Sequence, residues 1–157
     1  PTPMSGCNFP VFGSGVQAGV TNYRYSGTTT APYGFIEYLP AGYSNNCKWP
    51  VIVMLHGLGE QGDGRNGNLQ RVAVHGPNRL INQGRHFPAI VITPQSPGWW
   101  NSGTLDQMMS YILSNYSADP DRIYLTGLSM GGGGTWDYAR AYPTRLAAII
   151  PICGASW

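Results

Sequence analysis

The sequence predicts an α/β fold, a mostly parallel sheet covered by helices on both faces. Short apolar runs bounded by Pro or Gly recur along the chain, and segments between them carry apolar residues at helical spacing. Val51–Leu55 is apolar along its whole length instead of alternating, and Ala89–Thr93 repeats that pattern, which suits strands buried on both faces. With 157 residues, 42% of them apolar and 10% charged, the chain can build one packed core and has too little charge for a disordered segment. One domain is expected, with residues 1–33 as an N-terminal arm carrying the first strand and residues 34–157 as its core.

The arm opens on a linker-like Pro1-Thr2-Pro3, is rich in Gly, Thr, Ser and Tyr, and carries a short exposed strand over Val20–Tyr25, paired by Gly34–Leu39. Val51–Leu55, bounded by Pro50 and His56-Gly57, reads as a buried strand. Ala89–Thr93, stopped by Pro94, repeats it; Ile123–Thr126 and Ala147–Ile150 supply two more. The clearest helix covers residues 104–116, where Leu105, Met108, Met109, Ile112 and Leu113 share one face behind Thr104 as its cap. Those methionines are core side chains. A second helix is expected from Met130 to Tyr142, ended by Pro143, and a broken one over Leu69–Asn82, interrupted at Gly76-Pro77.

The net charge of +2 comes from scattered Lys and Arg, so neither a nucleic-acid surface nor a polybasic membrane anchor is expected. No apolar stretch reaches the roughly 18 residues of a membrane-spanning helix. The start at Pro1 carries no initiator Met or leader, so the chain reads as processed or cut from something larger, and the low charge with many Gly, Ser, Thr, Asn, Tyr and Trp suits a secreted protein whose signal or preceding domain is gone. Cys7, Cys47 and Cys153 lack C-x-x-C spacing, which argues against a structural zinc. No metal or cofactor is expected. In an oxidising compartment Cys7 can pair with Cys47, clipping the arm to the loop before the first long strand, a closure worth about 3 to 4 kcal/mol. Three free, partly buried thiols are the alternative.

Chemistry concentrates at Gly127-Leu128-Ser129-Met130-Gly131. In a chain with 22 Gly a G-x-S-x-G match arises easily, so its context decides. A strand enters the motif and a helix leaves it, the setting of a nucleophile elbow, a sharp turn that strains the Ser backbone and lifts its hydroxyl off the sheet. Side chains in place of Gly127 or Gly131 would collide there with strand and helix. Gly132, Gly133 and Gly134 continue inside the helix, where each costs up to about 1 kcal/mol relative to Ala. Close approach of this helix to the sheet, or of its N-terminus to substrate, would offset that.

Serine attack on an ester carbonyl creates an oxyanion, and two backbone N–H groups must already point at it. Met130 supplies one. The loop after Val51–Leu55, His56-Gly57-Leu58-Gly59-Glu60, supplies the other, with Leu58 as the expected donor. His56 reads as a structural histidine ordering this turn, not as the base. Trp99 and Trp100 follow Pro94-Gln95 in a loop at the ligand-binding edge of the sheet; they either contact an aromatic or sugar-bearing ester or pack against the core.

Leu55-His56-Gly57-Leu58-Gly59-Glu60, Pro94-Gln95 and the run from Asp121 to Gly132 resemble secreted esterases of the α/β-hydrolase fold, near the dienelactone hydrolase and phospholipase/carboxylesterase groups, over about Tyr33 to Cys153. The resemblance implies hydrolysis of a small-molecule or polysaccharide-linked carboxylic ester through an acyl-enzyme at Ser129. It implies no metal, and a triad in the chain order Ser, acid, His. It also places strands 7 and 8 of that fold, with the acid and histidine that follow them, in a C-terminal segment outside this chain, which then reads as the N-terminal portion. His56, His75 and His86 all precede Ser129, and Asp137 lies inside the helix that Ser129 starts. Ala147–Ile152 would become an apolar edge strand. Peptidase or thioesterase chemistry on the same fold, and a non-catalytic hydrolase-like binding module, are the alternatives.

Overall fold

The structure, a computed structural model, describes residues 7–14 and 17–155. The Pro1-Thr2-Pro3 opening lies outside them. In chain order the described residues form β1 (Gly13–Ser14), β2 (Val20–Arg24), β3 (Gly34–Leu39), β4 (Trp49–Leu55), α1 (Gly76–Asn82), β5 (Arg85–His86), β6 (Ile90–Gln95), α2 (Ser102–Asn115), β7 (Ala118–Leu128), α3 (Met130–Ala141) and β8 (Ala148–Ile152). Short 3-10 turns cover Leu58–Glu60 and Leu69–Val74.

Six strands make one open sheet in the order β2-β3-β6-β4-β7-β8. β3 runs antiparallel to both β2 and β6, while β6, β4, β7 and β8 are mutually parallel. A separate pairing of β1 with β5 attaches the arm. The apolar runs are explained by what covers them. On one face Val51, Val53, Leu55, Ile90 and Ile92 pack under α2 and α3 with Leu105, Met108, Met109, Ile112 and Tyr138. On the other, Tyr38 and Val91 meet Ile81 of α1, and Ile36 meets Leu69 and Val72. Cys7 and Cys47 are disulfide-bonded, and Cys153 is free and exposed.

Three local expectations are corrected. β6 runs through Pro94 to Gln95, because its last pair with β4 is Ile92 with Val53; beyond it β6 has only β3 beside it, an edge-like place that tolerates proline. The cap of α2 is Asn101, whose side chain accepts the Thr104 N–H at 2.9 Å. Thr104 is thus the third helical residue, one whose N–H needs a partner, and the helix begins at Ser102. β7 begins at Ala118, well before Ile123, with a register shift against β4 between Trp49 and Val51. β8 forms one edge of the sheet, with Ile150 62% and Ile152 43% exposed.

Candidate active site

Ser129 joins β7 to α3 with φ 55° and ψ −113°, a conformation that L residues adopt at a cost and keep only where neighbours hold it. Its N–H donates to Ile152 O at the end of β8 (2.8 Å), and its carbonyl accepts the Gly133 N–H (3.0 Å), the first turn of α3. A Cβ at Gly127 would overlap Gly131 O and lie 2.9 Å from Thr135 Oγ1. One at Gly131 would overlap Leu55 O and lie 2.8 Å from His56 O. These glycines therefore let β7 and α3 cross and seat the first turn of α3 on the end of β4. Further along, a Cβ at Gly134 would lie 2.6 Å from Trp100 Cβ. Close approach, to the sheet and to Trp100, is what the glycine run provides.

Met130 is the first residue of α3, and Leu58 is the first residue of the 3-10 turn after β4. An N–H at the first position of a helical element has no acceptor within it. The two starts lie side by side: a Cβ on Gly57, the cap of the Leu58 turn, would stand 3.7 Å from Ser129 Cβ. Gln61 Nε2 lies 3.4 Å from Met130 Sδ. The turn is closed by the Gly57 N–H donating to Glu60 Oε2 (2.9 Å) and the Glu60 N–H donating to Gly57 O (3.3 Å).

His56 is 3% exposed, and both of its ring nitrogens are engaged. Nε2 accepts the Ser96 N–H at 2.9 Å, so the neutral ring carries its proton on Nδ1, which donates to Gly57 O at 2.7 Å. Burial holds its pKa below the ordinary 6.5, against the opposing pull of the Gly57 carbonyl and Glu60. A neutral histidine committed on both sides orders the turn and has no lone pair to offer a serine.

No protein-family model matches the chain. It is 28% identical to poly(3-hydroxyalkanoate) depolymerase C of Paucimonas lemoignei, over 88% of this chain and 35% of that protein. It is also 28% identical to acetylxylan esterase A of Emericella nidulans, over 77% of this chain and 42% of that protein. The solved acetyl xylan esterase from Aspergillus awamori superposes with a TM-score of 0.63 at 25% identity, over 88% of this chain and 53% of that chain. The fold is that of α/β-hydrolase esterases. This chain spans less than half the length of these curated relatives.

On this hydrolase fold the two tryptophans separate. Trp100 is 3% exposed, its indole N–H donating to His56 O (3.0 Å) and its ring packing on His56 and Tyr33. It packs in the core, the second of the two roles that the sequence leaves open for this pair. Trp99 is 52% exposed, and a Cβ on Gly133 would lie 3.2 Å from its ring, so it stands beside the first turn of α3. His75 Nε2 lies 3.6 Å from Glu60 Oε1, and His86 Nδ1 lies 3.3 Å from Tyr38 Oη. Among the described residues no three His, Cys, Asp or Glu side chains gather to hold a metal ion. Glu37 and Gln95 are buried polar groups whose partners the sequence does not show. Glu37 accepts from Asn22, Arg24 and Tyr116, and Gln95 grips the loop after Leu58. A polar residue inside or ending an otherwise apolar strand is the signal that marks both.

Proposed function

We propose that this chain carries the nucleophile and oxyanion site of a serine hydrolase that cleaves carboxylic esters. The observation that carries the reading is Ser129, held in a strained conformation at the start of α3 with Gly57, the cap of the Leu58 turn, packed against it. In this reading Ser129 Oγ attacks the ester carbonyl carbon while a histidine takes its proton, and the Leu58 and Met130 N–H groups receive the oxyanion. The alcohol leaves with that proton, and water activated by the same histidine releases the acid from the acyl-enzyme.

The histidine and its acid partner are assigned to a C-terminal segment. His56 supports a base elsewhere, since its ring is already committed, and the relatives are long enough to hold one outside the matched part. The same segment would cover the apolar groove of about 430 Å³ among Met54, Pro77, Leu80, Leu128, Ile150 and Ile152, beside the exposed edge of β8. The substrate is a small or polysaccharide-linked ester: relatives named acetylxylan esterase support it, as does Trp99, whose exposed indole offers a flat apolar face to a sugar ring. Secretion is supported by the Cys7–Cys47 disulfide, a bond that persists in oxidising surroundings.

Labelling the complete protein with a fluorophosphonate and mapping the adduct tests the assignment. Modification at Ser129, with ester turnover lost in Ser129→Ala, is the expected result; an adduct on another serine with Ser129 untouched refutes it. Parallel ester, thioester and peptide substrates separate esterase from thioesterase and peptidase chemistry.

A further inference from the structure

β6 ends on a polar residue that the fold buries. Gln95 is 1% exposed, and both the nitrogen and the oxygen of its amide are engaged. Nε2 donates to Glu60 O (2.8 Å) and Asn68 O (3.0 Å), and Oε1 accepts the Gly64 N–H (2.9 Å). All three partners are backbone atoms of the loop that begins with Leu58. Gly62 leaves room for the amide, since a Cβ there would lie 2.6 Å from Nε2. Its N–H donates to Ser96 O (3.1 Å). One residue past Gln95, the Ser96 N–H holds the His56 ring, and that ring holds Gly57 O. The peptide joining Gly57 to Leu58 is planar and trans, so its C=O and N–H point in opposite directions. Anchoring Gly57 O toward His56 therefore turns the Leu58 N–H away from that ring. The end of β6 thus grips the loop at both ends of its first turn.

An oxyanion donor works only if it is in place before the charge develops. The loop from Gly57 to Asn68 includes Gly59, Gly62, Gly64 and Gly67, and glycines leave a backbone free to wander. We propose that Gln95 is a positioning residue for ester hydrolysis: by gripping the backbone at Glu60, Gly64 and Asn68 it fixes the loop from which the Leu58 N–H meets the oxyanion. The proposal rests on the serine-hydrolase reading above. An uncharged amide suits the place because it presents two donors to two carbonyls and one acceptor to one N–H. A carboxylate there would set negative oxygen against the Glu60 and Asn68 carbonyls, and only its protonated form could donate to either.

The test uses the complete protein carrying Gln95→Glu or Gln95→Met, with a short-chain p-nitrophenyl ester. Gln95→Met keeps the bulk and removes the hydrogen bonds, so it reads the grip even if Gln95→Glu does not fold. Both variants should keep fluorophosphonate labelling at Ser129 and a KM within about threefold of wild type, while kcat falls about 10- to 100-fold, as expected for a displaced donor. The kcat ratio of Gln95→Glu to wild type should rise as pH is lowered from about 8 to about 6, because a carboxyl facing two carbonyls binds its proton more tightly than usual. The Gln95→Met ratio should stay flat. His56, Glu60, Asp63, Arg65, Arg71 and His75, with Tyr25 and Tyr33, are the charged and titratable groups around the loop and are common to all three proteins, so the ratio removes their contribution. Hydrogen exchange reads the grip without turnover, and the Gly64 amide should exchange at least about tenfold faster in both variants. Absence of Ser129-dependent hydrolysis in the wild type refutes the function on which the proposal rests. Wild-type activity with unchanged kcat, or unchanged exchange at Gly64, in folded variants overturns the role of Gln95 alone.

Discussion

Replacing Gly131 with Ala sets two physical effects against each other. In an ordinary helix position alanine is favoured over glycine by up to about 1 kcal/mol, so propensity alone predicts a more stable α3. Against that, the added methyl overlaps Leu55 O and lies 2.6 Å from Leu55 C and 2.8 Å from His56 O. These are backbone atoms at the end of β4, a strand held on both sides by β6 and β7, and no side-chain rotation relieves the overlap. Favourable contact begins near 3.5 Å, so the first turn of α3 must retreat by about 1 Å. Overpacking of this kind costs about 1 to 3 kcal/mol, which leaves a net loss of up to about 2 kcal/mol after the helix gain. For a chain of this size that is a fall in Tm of up to about 6 °C. In the proposed serine-hydrolase mechanism the retreat also carries the Met130 N–H away from the oxyanion, and a donor displaced by about 1 Å should lower kcat about 100-fold. Thermal unfolding and steady-state hydrolysis of a p-nitrophenyl ester by the complete protein, with and without Gly131→Ala, measure both effects. A variant at least as stable as wild type with unchanged kcat would refute the claim that contact with β4 demands glycine here.

Trp100→Phe keeps a ring against Tyr33 and His56 but leaves the buried His56 carbonyl without its indole donor, and should lower stability by about 1 to 3 kcal/mol in thermal melts, whereas Trp99→Ala should leave Tm nearly unchanged. Because burial depresses the pKa of His56, the unfolded chain binds a proton near the ordinary 6.5 that the folded chain refuses. Stability therefore falls as pH drops through about 6.5. The slope of Tm between about pH 7.5 and pH 5.5 should be shallower in His56→Asn, and equal slopes would exclude His56 as its source. Cys7→Ser should cost about 4 kcal/mol, from loss of a link across a sequence separation of 40, and a melt insensitive to dithiothreitol would contradict this.

What the sequence by itself determines here is whatever depends on a residue and its near neighbours. Val51–Leu55 and Ala89–Thr93 show as buried strands because a strand covered on both faces is apolar nearly throughout, and the helix behind Leu105 shows because one face repeats at the helical period. The setting of Ser129 is legible for the same reason, since strand, Gly, Ser, Gly and helix follow one another within a few residues. Tertiary structure alone decides what depends on partners distant along the chain. The Ser96 N–H reaches His56 across 40 residues, and Gln95 reaches Glu60 across 35. Trp99 and Trp100 are identical and adjacent, yet successive side chains leave the backbone in different directions, so one faces solvent while the other fills the space that Gly134 leaves open. The glycine run belongs to the same class. An absent side chain announces that something comes close, but only the packed fold shows that at Gly131 it is the backbone of β4.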